Sequence, residues 1–256
     1  MRLSDRMKKY EQLARHSLMP KVPVILRVDG KAFHTFTRKM VRPWDSNLEE
    51  CMWSAAMHLC KQIQGAQFAY VQSDEISVLI LDTRKTTSSA WFDYQVQKMA
   101  SVGASHATTG FNWQWIQQYM SDTGNFPPVP SALPEFDGRV SNYPDHEVAN
   151  YFVWRQQDAV RNSVQMLAQA HFSHKSTQGL SGSQLQDKLM LEKGINWNDV
   201  PTNRRRGACI VKEAYEHTHG AQVTTRTRWV VDREIPIFTK DREYIEMYLG
   251  VPLLNR

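Results

Sequence analysis

"AQFAYVQSDEISVLI", residues 66–80, is the stretch on which the fold turns. Two runs of apolar and β-branched residues flank a polar centre, Ser73-Asp74-Glu75. Apolar runs broken by a short polar segment read as a hairpin or a bent strand pair. The acids are costly there, because a buried, unpaired carboxylate carries a large desolvation penalty.

A second stretch, "PVILRVDG", residues 23–30, is apolar enough to be a strand buried on both faces, and it stops at Asp29-Gly30. Asp-Gly is a common turn dipeptide. If this strand lies beside the hairpin, Asp29 and Asp74 fall at the same end of one sheet. Two carboxylates held close repel unless a cation neutralises them, and Mg²⁺ does so together with substrate phosphates. A pair of such ions aligns the attacking and leaving oxygens of phosphoryl transfer. Gly30, without a Cβ, lets backbone approach an ion or phosphate. The amides that follow, from Lys31 through Ala32 and Phe33 to His34, are placed to cradle a triphosphate. The alternative is a turn aspartate beside a solvent-facing hairpin.

Outward from these strands, "DRMKKYEQLARHSLM" has helical spacing and Pro20 and Pro23 break it. "KAFHTFTRK" reads as a helical turn. "SNLEECMWSAAMHLCKQIQ" reads as a strong helix, with Ser46 as N-cap and Glu49 at capping-box spacing. "SAWFDYQVQKMASVGASHATTGFNWQW" reads as a long helix interrupted near Gly103. "NFPPVPSALPEFDGRVSNYP" reads as a loop holding a short strand around "EFDGRV". The order β-α-β-β-α-β predicts an α+β, ferredoxin-like antiparallel sheet with helices on one face. Residues 1–145 form the expected catalytic domain. Residues 146–256 form the expected helix-rich region, ending in a β-hairpin and serving RNA binding and oligomer contacts.

The 256 residues, 41% of them hydrophobic, suffice for one large or two small cores. Three cysteines, Cys51, Cys60 and Cys209, argue against a disulfide framework and fit a reducing compartment. The charged start "MRLSDRMKKYEQ" lacks the apolar core of a signal peptide, and no apolar run spans a bilayer. The expectation is a soluble cytoplasmic protein. Residues 1–42 carry 11 Lys/Arg against 3 acids, 43–203 carry 10 against 16, and 204–256 carry 10 against 7. Basic ends around an acidic middle suggest a polyanion partner, against the plainer reading of solvated faces. "TNRRRGACIVK" and "TTRTRWVV" place six cations within 204–228, with Trp229 alongside as a stacking surface. Neither a P-loop nor a dinucleotide fingerprint is present. Cys209, His217 and His219 fit no standard zinc spacing.

"RVDGKAFHTFTRKMVRPWD", "QSDEISVLI" and "WRQQDAVRNSVQ" together resemble the tRNA-His guanylyltransferase superfamily, over most of residues 5–215. The resemblance implies a polymerase-type palm and nucleotide addition in the 3′-to-5′ direction. It implies two Mg²⁺ on Asp29, the Gly30 carbonyl and Asp74, with Glu75 as the neighbouring catalytic acid. It implies ATP, GTP and other NTPs as substrates, held by Asp29 to His34, Arg42, Asp45, Ser73, Lys98 and Asn162. A tRNA partner and a homotetramer follow in the same way. Where eukaryotic members carry H-I-N-N, this chain has Val160-Arg161-Asn162-Ser163. That departure, with "STQGLSGSQLQDKL" and "NRRRGACI", points to the Thg1-like branch that repairs tRNA 5′ ends against a template. The alternatives are a strict tRNA-His guanylyltransferase, a palm-fold nucleotide cyclase, and a non-catalytic RNA-binding module.

Overall fold

The computed structural model describes residues 1–83, 87–127, 133–219 and 222–250. Part of the proline-rich loop reading, at 128–132, lies outside the described residues.

The elements run α1 (Leu3–Leu13), β1 (Val24–Gly30), α2 (Phe33–Phe36), α3 (Ser46–Gln62), β2 (Ala66–Gln72), β3 (Glu75–Ile80), α4 (Val96–Thr123) and β4 (Phe136–Asn142). They continue α5 (Asp145–His171), α6 (His174–Thr177), α7 (Gly182–Lys193), α8 (Thr202–Arg206), β5 (Ala208–His219), β6 (Gln222–Asp232) and α9 (Glu243–Glu246). The expected β-α-β-β-α-β order is present. The strands form one antiparallel sheet in the order β4-β1-β3-β2-β5-β6. The protein is therefore α+β, and β5 of the C-terminal half pairs with β2, Tyr70 opposite Cys209.

Helices cover both faces, which corrects the one-face expectation. Every residue of β2 and β3 is buried. Alternate side chains point to opposite faces, so an apolar strand of this kind needs two covers. Val24, Leu26, Val28, Val71 and Val78 pack under α3 and α4. Ile25, Phe68, Tyr70 and Leu79 pack under α5, with Phe238 and Ile245. β4 is an edge strand with alternating exposure. Val164, Leu167 and Ala168 of α5 make a smaller cluster with Leu185 and Leu189 of α7.

Two local readings change. α4 is continuous through Gly103. A Cβ there would lie 2.7 Å from Leu26 Cδ2, so the glycine admits close approach to β1 and does not interrupt the helix. Burial against the sheet outweighs a helix-propensity cost of about 1 kcal/mol. The N-cap of α3 is Asp45, not Ser46: Asp45 Oδ1 accepts from the amides of Asn47 and Leu48 at 3.0 and 3.1 Å. Asp and Ser cap equally well, so the reach of the side chain into the first turn decides.

Candidate active site

β2 and β3 are joined by a two-residue turn, Ser73-Asp74, between the paired Gln72 and Glu75. Ser73 sits at φ 48°, a left-handed conformation unusual outside glycine. The turn carries Asp74 to the end of β1, where the Gly30 amide donates to the Asp74 carbonyl at 3.0 Å. Gly30 is required by packing, since a Cβ would lie 2.2 Å from Phe33 Cδ2. The Phe33 ring is held by Phe111 and Phe136 at centroid distances of 5.5 and 5.1 Å, which fixes α2 beside the strand end. Ala32 precedes α2 at φ 54°.

Position 29 of β1 lies in register with Asp137 on one side and Glu75 on the other. Like charges opposite one another destabilise a sheet. The offset comes from the row two residues back, where Arg27 faces Arg139. Arg27 reaches Glu75 at 2.7 Å and Asp29 at 4.0 Å. From the other cover, Arg155 of α5 grips Glu75 with two hydrogen bonds, 2.7 Å to Oε1 and 2.8 Å to Oε2. Burial pushes the Glu75 carboxyl above its ordinary range, and the two guanidiniums act against that shift. Both oxygens of Glu75 are thus taken up by arginine.

Asp74 differs. Burial, and more weakly the neighbouring Asp29, pushes its carboxyl above the usual carboxylate range. Among the described residues it forms no ion pair. Asp29 and Asp74 therefore present close, under-neutralised hard oxygens, a donor set that fits Mg²⁺. No group of three or more His, Cys, Asp or Glu side chains among the described residues makes a closed protein cage.

Asp74 opens onto a cleft of about 470 Å³. Its walls are α2 (His34), the segment after it (Arg42, Trp44), the start of α3 (Asp45, Glu49, Trp53), the turn (Gln72, Ser73, Asp74), α5 (Asn162, Ser163) and α8 (Asn203, Arg204). Of the residues named from sequence, the cleft brings together Phe33, His34, Arg42, Asp45, Ser73, Asp74 and Asn162. Asp45 serves the fold as well, since its Oδ2 accepts from the Val41 amide at 3.1 Å. Lys31 lies outside the cleft, with its amide on the Glu135 carbonyl at 2.8 Å and its ammonium on the Glu135 carboxylate at 2.7 Å. Lys98 is exposed at the start of α4, over the Phe92 ring, also outside the cleft.

Sequence reading left several residues without a role. Arg204 binds both oxygens of Glu49 and Ser46 Oγ, tying α8 to α3 across the cleft wall. It is part of the basic stretch expected to meet RNA, yet its charge is committed to Glu49. Arg155 had a legible signal: Phe152 and Ala159 place it on the buried stripe of its own helix. A cation at helical spacing among apolar positions needs an anionic partner.

A family model described as Thg1, tRNA-His guanylyltransferase, matches residues 4–144. The chain belongs to the tRNA-His guanylyltransferase family. As a member it is a nucleotidyltransferase. The matched span holds Asp29, Gly30 and Asp74 but ends before α5, so Arg155, Asn162 and Arg204 lie beyond it. A probable tRNA(His) guanylyltransferase of Drosophila melanogaster is 30% identical over 77% of this chain and 69% of its own length. The tRNA(His) guanylyltransferase of Debaryomyces hansenii is 28% identical over 85% of this chain and 83% of its own. Among solved structures, a bacterial Thg1-like protein in complex with ATP superposes with a TM-score of 0.87, at 46% identity, over 98% of this chain and 100% of that one. A bacterial Thg1-like protein in complex with GTP gives 0.81 at 44% identity, over 97% and 99%. The family member from Saccharomyces cerevisiae shares the fold, with a TM-score of 0.65 at 23% identity over 77% of this chain and 88% of that one.

Proposed function

We propose that this protein adds nucleotides in the 3′-to-5′ direction to the 5′ end of tRNA, repairing truncated ends against the opposing strand. The 5′ end is activated by ATP or arrives as a triphosphate. The observation that carries the reading is the backbone hydrogen bond that ties Asp74, a residue of the cleft wall, to Gly30 at the acidic end of β1. Repair is favoured over strict tRNA-His guanylylation because Val160-Arg161-Asn162-Ser163 lacks the histidine of the eukaryotic motif.

The sheet β4-β1-β3-β2 serves as a polymerase-type palm. Asp29, Asp74 and the Gly30 carbonyl would hold two Mg²⁺. When bound, these ions supply charge neutralisation and a more acidic nucleophilic hydroxyl. Glu75, gripped by Arg27 and Arg155, positions the turn that carries Asp74. His34, Arg42 and Asn162 orient nucleotide in the cleft, with Ser73 beside it. Basic surface at 1–42 and 204–228 steers the acceptor RNA, a salt-dependent attraction. A homotetramer is supported by α1, which presents Leu3, Met7, Tyr10 and Leu13 exposed at helical spacing. Three buried free thiols accord with a reducing, cytoplasmic setting.

The test is incubation with Mg²⁺, ATP, all NTPs and a 5′-truncated tRNA, followed by gel sizing. Extension that disappears with Asp29→Ala, Asp74→Ala or a chelator supports the reading. Preference for a tRNA-His lacking only its −1 residue would favour the strict guanylyltransferase, and a cyclic nucleotide formed without RNA a cyclase. RNA binding with no nucleotide transfer would leave a binding module.

A further inference from the structure

Resting on the reading of this protein as an enzyme of RNA 5′ ends, we infer that the acceptor RNA docks on the open face of β1 and β4 and stacks its 5′-terminal base on Trp154. On that reading two substrates meet at Asp29 and Asp74. The cleft takes the nucleotide on the Asp74 side, and Asp29 is not among its walls. The Asp29 side chain stands one-third exposed on a second surface.

The sheet register builds that surface. Phe136 and Val140 of β4 pack into the core under α3 and α4. Asp137, Arg139 and Ser141 therefore point to the opposite face, and all three are exposed there. Arg27 and Asp29 of β1 lie beside Arg139 and Asp137 in register. The result is a shelf with α5 as its wall. Tyr151 of α5 sets its Oη 2.9 Å from Ser77 Oγ on β3 and its ring 5.0 Å from that of Tyr143, just past β4. Trp154, Asp158 and Arg161 follow Tyr151 at helical spacing, so they continue the same wall.

Trp154 is a fixed platform. The Arg155 guanidinium, buried and bonded to both oxygens of Glu75, lies 4.4 Å from the centre of the Trp154 ring. The Tyr151 ring stands nearly perpendicular to it at 5.8 Å. One face of the indole thus covers a buried cation. The ring is nevertheless 48% exposed, so its other face looks out to solvent. An aromatic face held open in this way suits a base, because every base has a π-face to stack. Arg139 on the floor and Arg161 on the wall are both exposed, and each meets its acid, Asp137 or Asp158, through Nη2. A guanidinium has five N–H donors, so both keep donors for phosphate. Acids and arginines balance on the shelf, which therefore holds a chain end by stacking and short contacts, while the basic ends of the chain supply the long-range attraction.

Equilibrium binding of two 5′-truncated tRNAs to the full-length protein tests this. Both carry a 5′-monophosphate, and they differ only in the 5′-terminal residue, which keeps its base in one and is abasic in the other. The wild type is expected to bind the intact RNA about tenfold more tightly. Trp154→Leu is expected to bind both RNAs at the weaker affinity, and Trp154→Phe to keep part of the preference. Equal binding of the two RNAs by the wild type overturns the inference, whether or not the variants fold. A Trp154→Leu protein that keeps the full preference overturns it equally. ATP affinity is measured in parallel. If Trp154→Leu loses ATP affinity together with RNA affinity, the tryptophan only shields the Arg155–Glu75 pair and the inference falls. If the wild type extends the truncated tRNA but does not distinguish the abasic form, the Trp154 assignment fails alone. If it neither binds nor extends the RNA, the reading of the enzyme fails with it.

Discussion

The Gly30 amide donates to the Asp74 carbonyl, joining the end of β1 to the β2–β3 turn across 44 residues of chain. This bond carries the β1–β3 ladder, which already sets Asp29 opposite Glu75, on into the turn. A glycine stands there because the Phe33 ring fills the space of a Cβ. Gly30→Ala should destabilise the fold by about 1–3 kcal/mol through overpacking. Thermal melting checks this. Phe33→Leu should relieve part of the cost in the double variant, as expected for touching residues. Strictly additive losses would show that the contact is not the cause.

Arg155 and Glu75 form a buried, two-bond pair. Arg155→Met removes one of the two guanidiniums on Glu75 and should cost about 3–5 kcal/mol. Glu75→Gln in that background should recover much of the loss, because a neutral amide tolerates burial better than an under-paired carboxylate. Denaturant midpoints of the two single variants and the double decide. If the double is less stable than Arg155→Met, the pair is not what Arg155 contributes.

Asp45 caps α3 and Ser46 does not. Asp45→Ala should cost about 1 kcal/mol, near the middle of measured N-cap values. Ser46→Ala, losing only an exposed bond from Arg204, should cost less. The reverse order in chemical denaturation would return the cap to Ser46. Asp45 also lines the cleft, so its variant should raise the KM for nucleotide as well.

His58 of α3 and His106 of α4 face each other with ring centroids 5.5 Å apart. Burial lowers both, and His106 and Lys61 lower His58 further. Below the ordinary value of 6.5 the unfolded imidazoles take up protons that the folded ones resist. The unfolded state then binds more protons, so stability falls with pH from about 6.5 down through the depressed folded values. Melting temperatures measured from pH 8 to 5 should drop in this window, and less in His58→Gln. An unchanged slope in the variant would remove His58 as a cause.

Much of the fold was legible because its signals are local. "FAYV" and "ISVLI" had to be strands, and the polar residues between them had to turn. The helical spacing that makes residues after 145 helix-rich, seen in α5 and α7, is equally local. The covers of the sheet were less legible. β2 and β3 are apolar on both faces, but which helix lies on which face depends on chain crossing between distant segments. Gly103 looked like a helix break because propensity is local, whereas its reason, Leu26, lies 77 residues earlier.

The candidate site divides in the same way. Asp29, Gly30 and Asp74 stand at strand ends, where an acid after an apolar run is visible without coordinates. The partners that make them a site come from far along the chain: Arg155 lies 80 residues beyond Glu75, and Arg204 lies 155 beyond Glu49. Local sequence determines which segments bury apolar surface and where they turn, because propensity and periodicity act over a few residues. Only tertiary packing chose which charges meet, and left Glu75 saturated by arginine and Asp74 open to the cleft. Desolvation and charge pairing act through space, between residues that the chain itself keeps far apart.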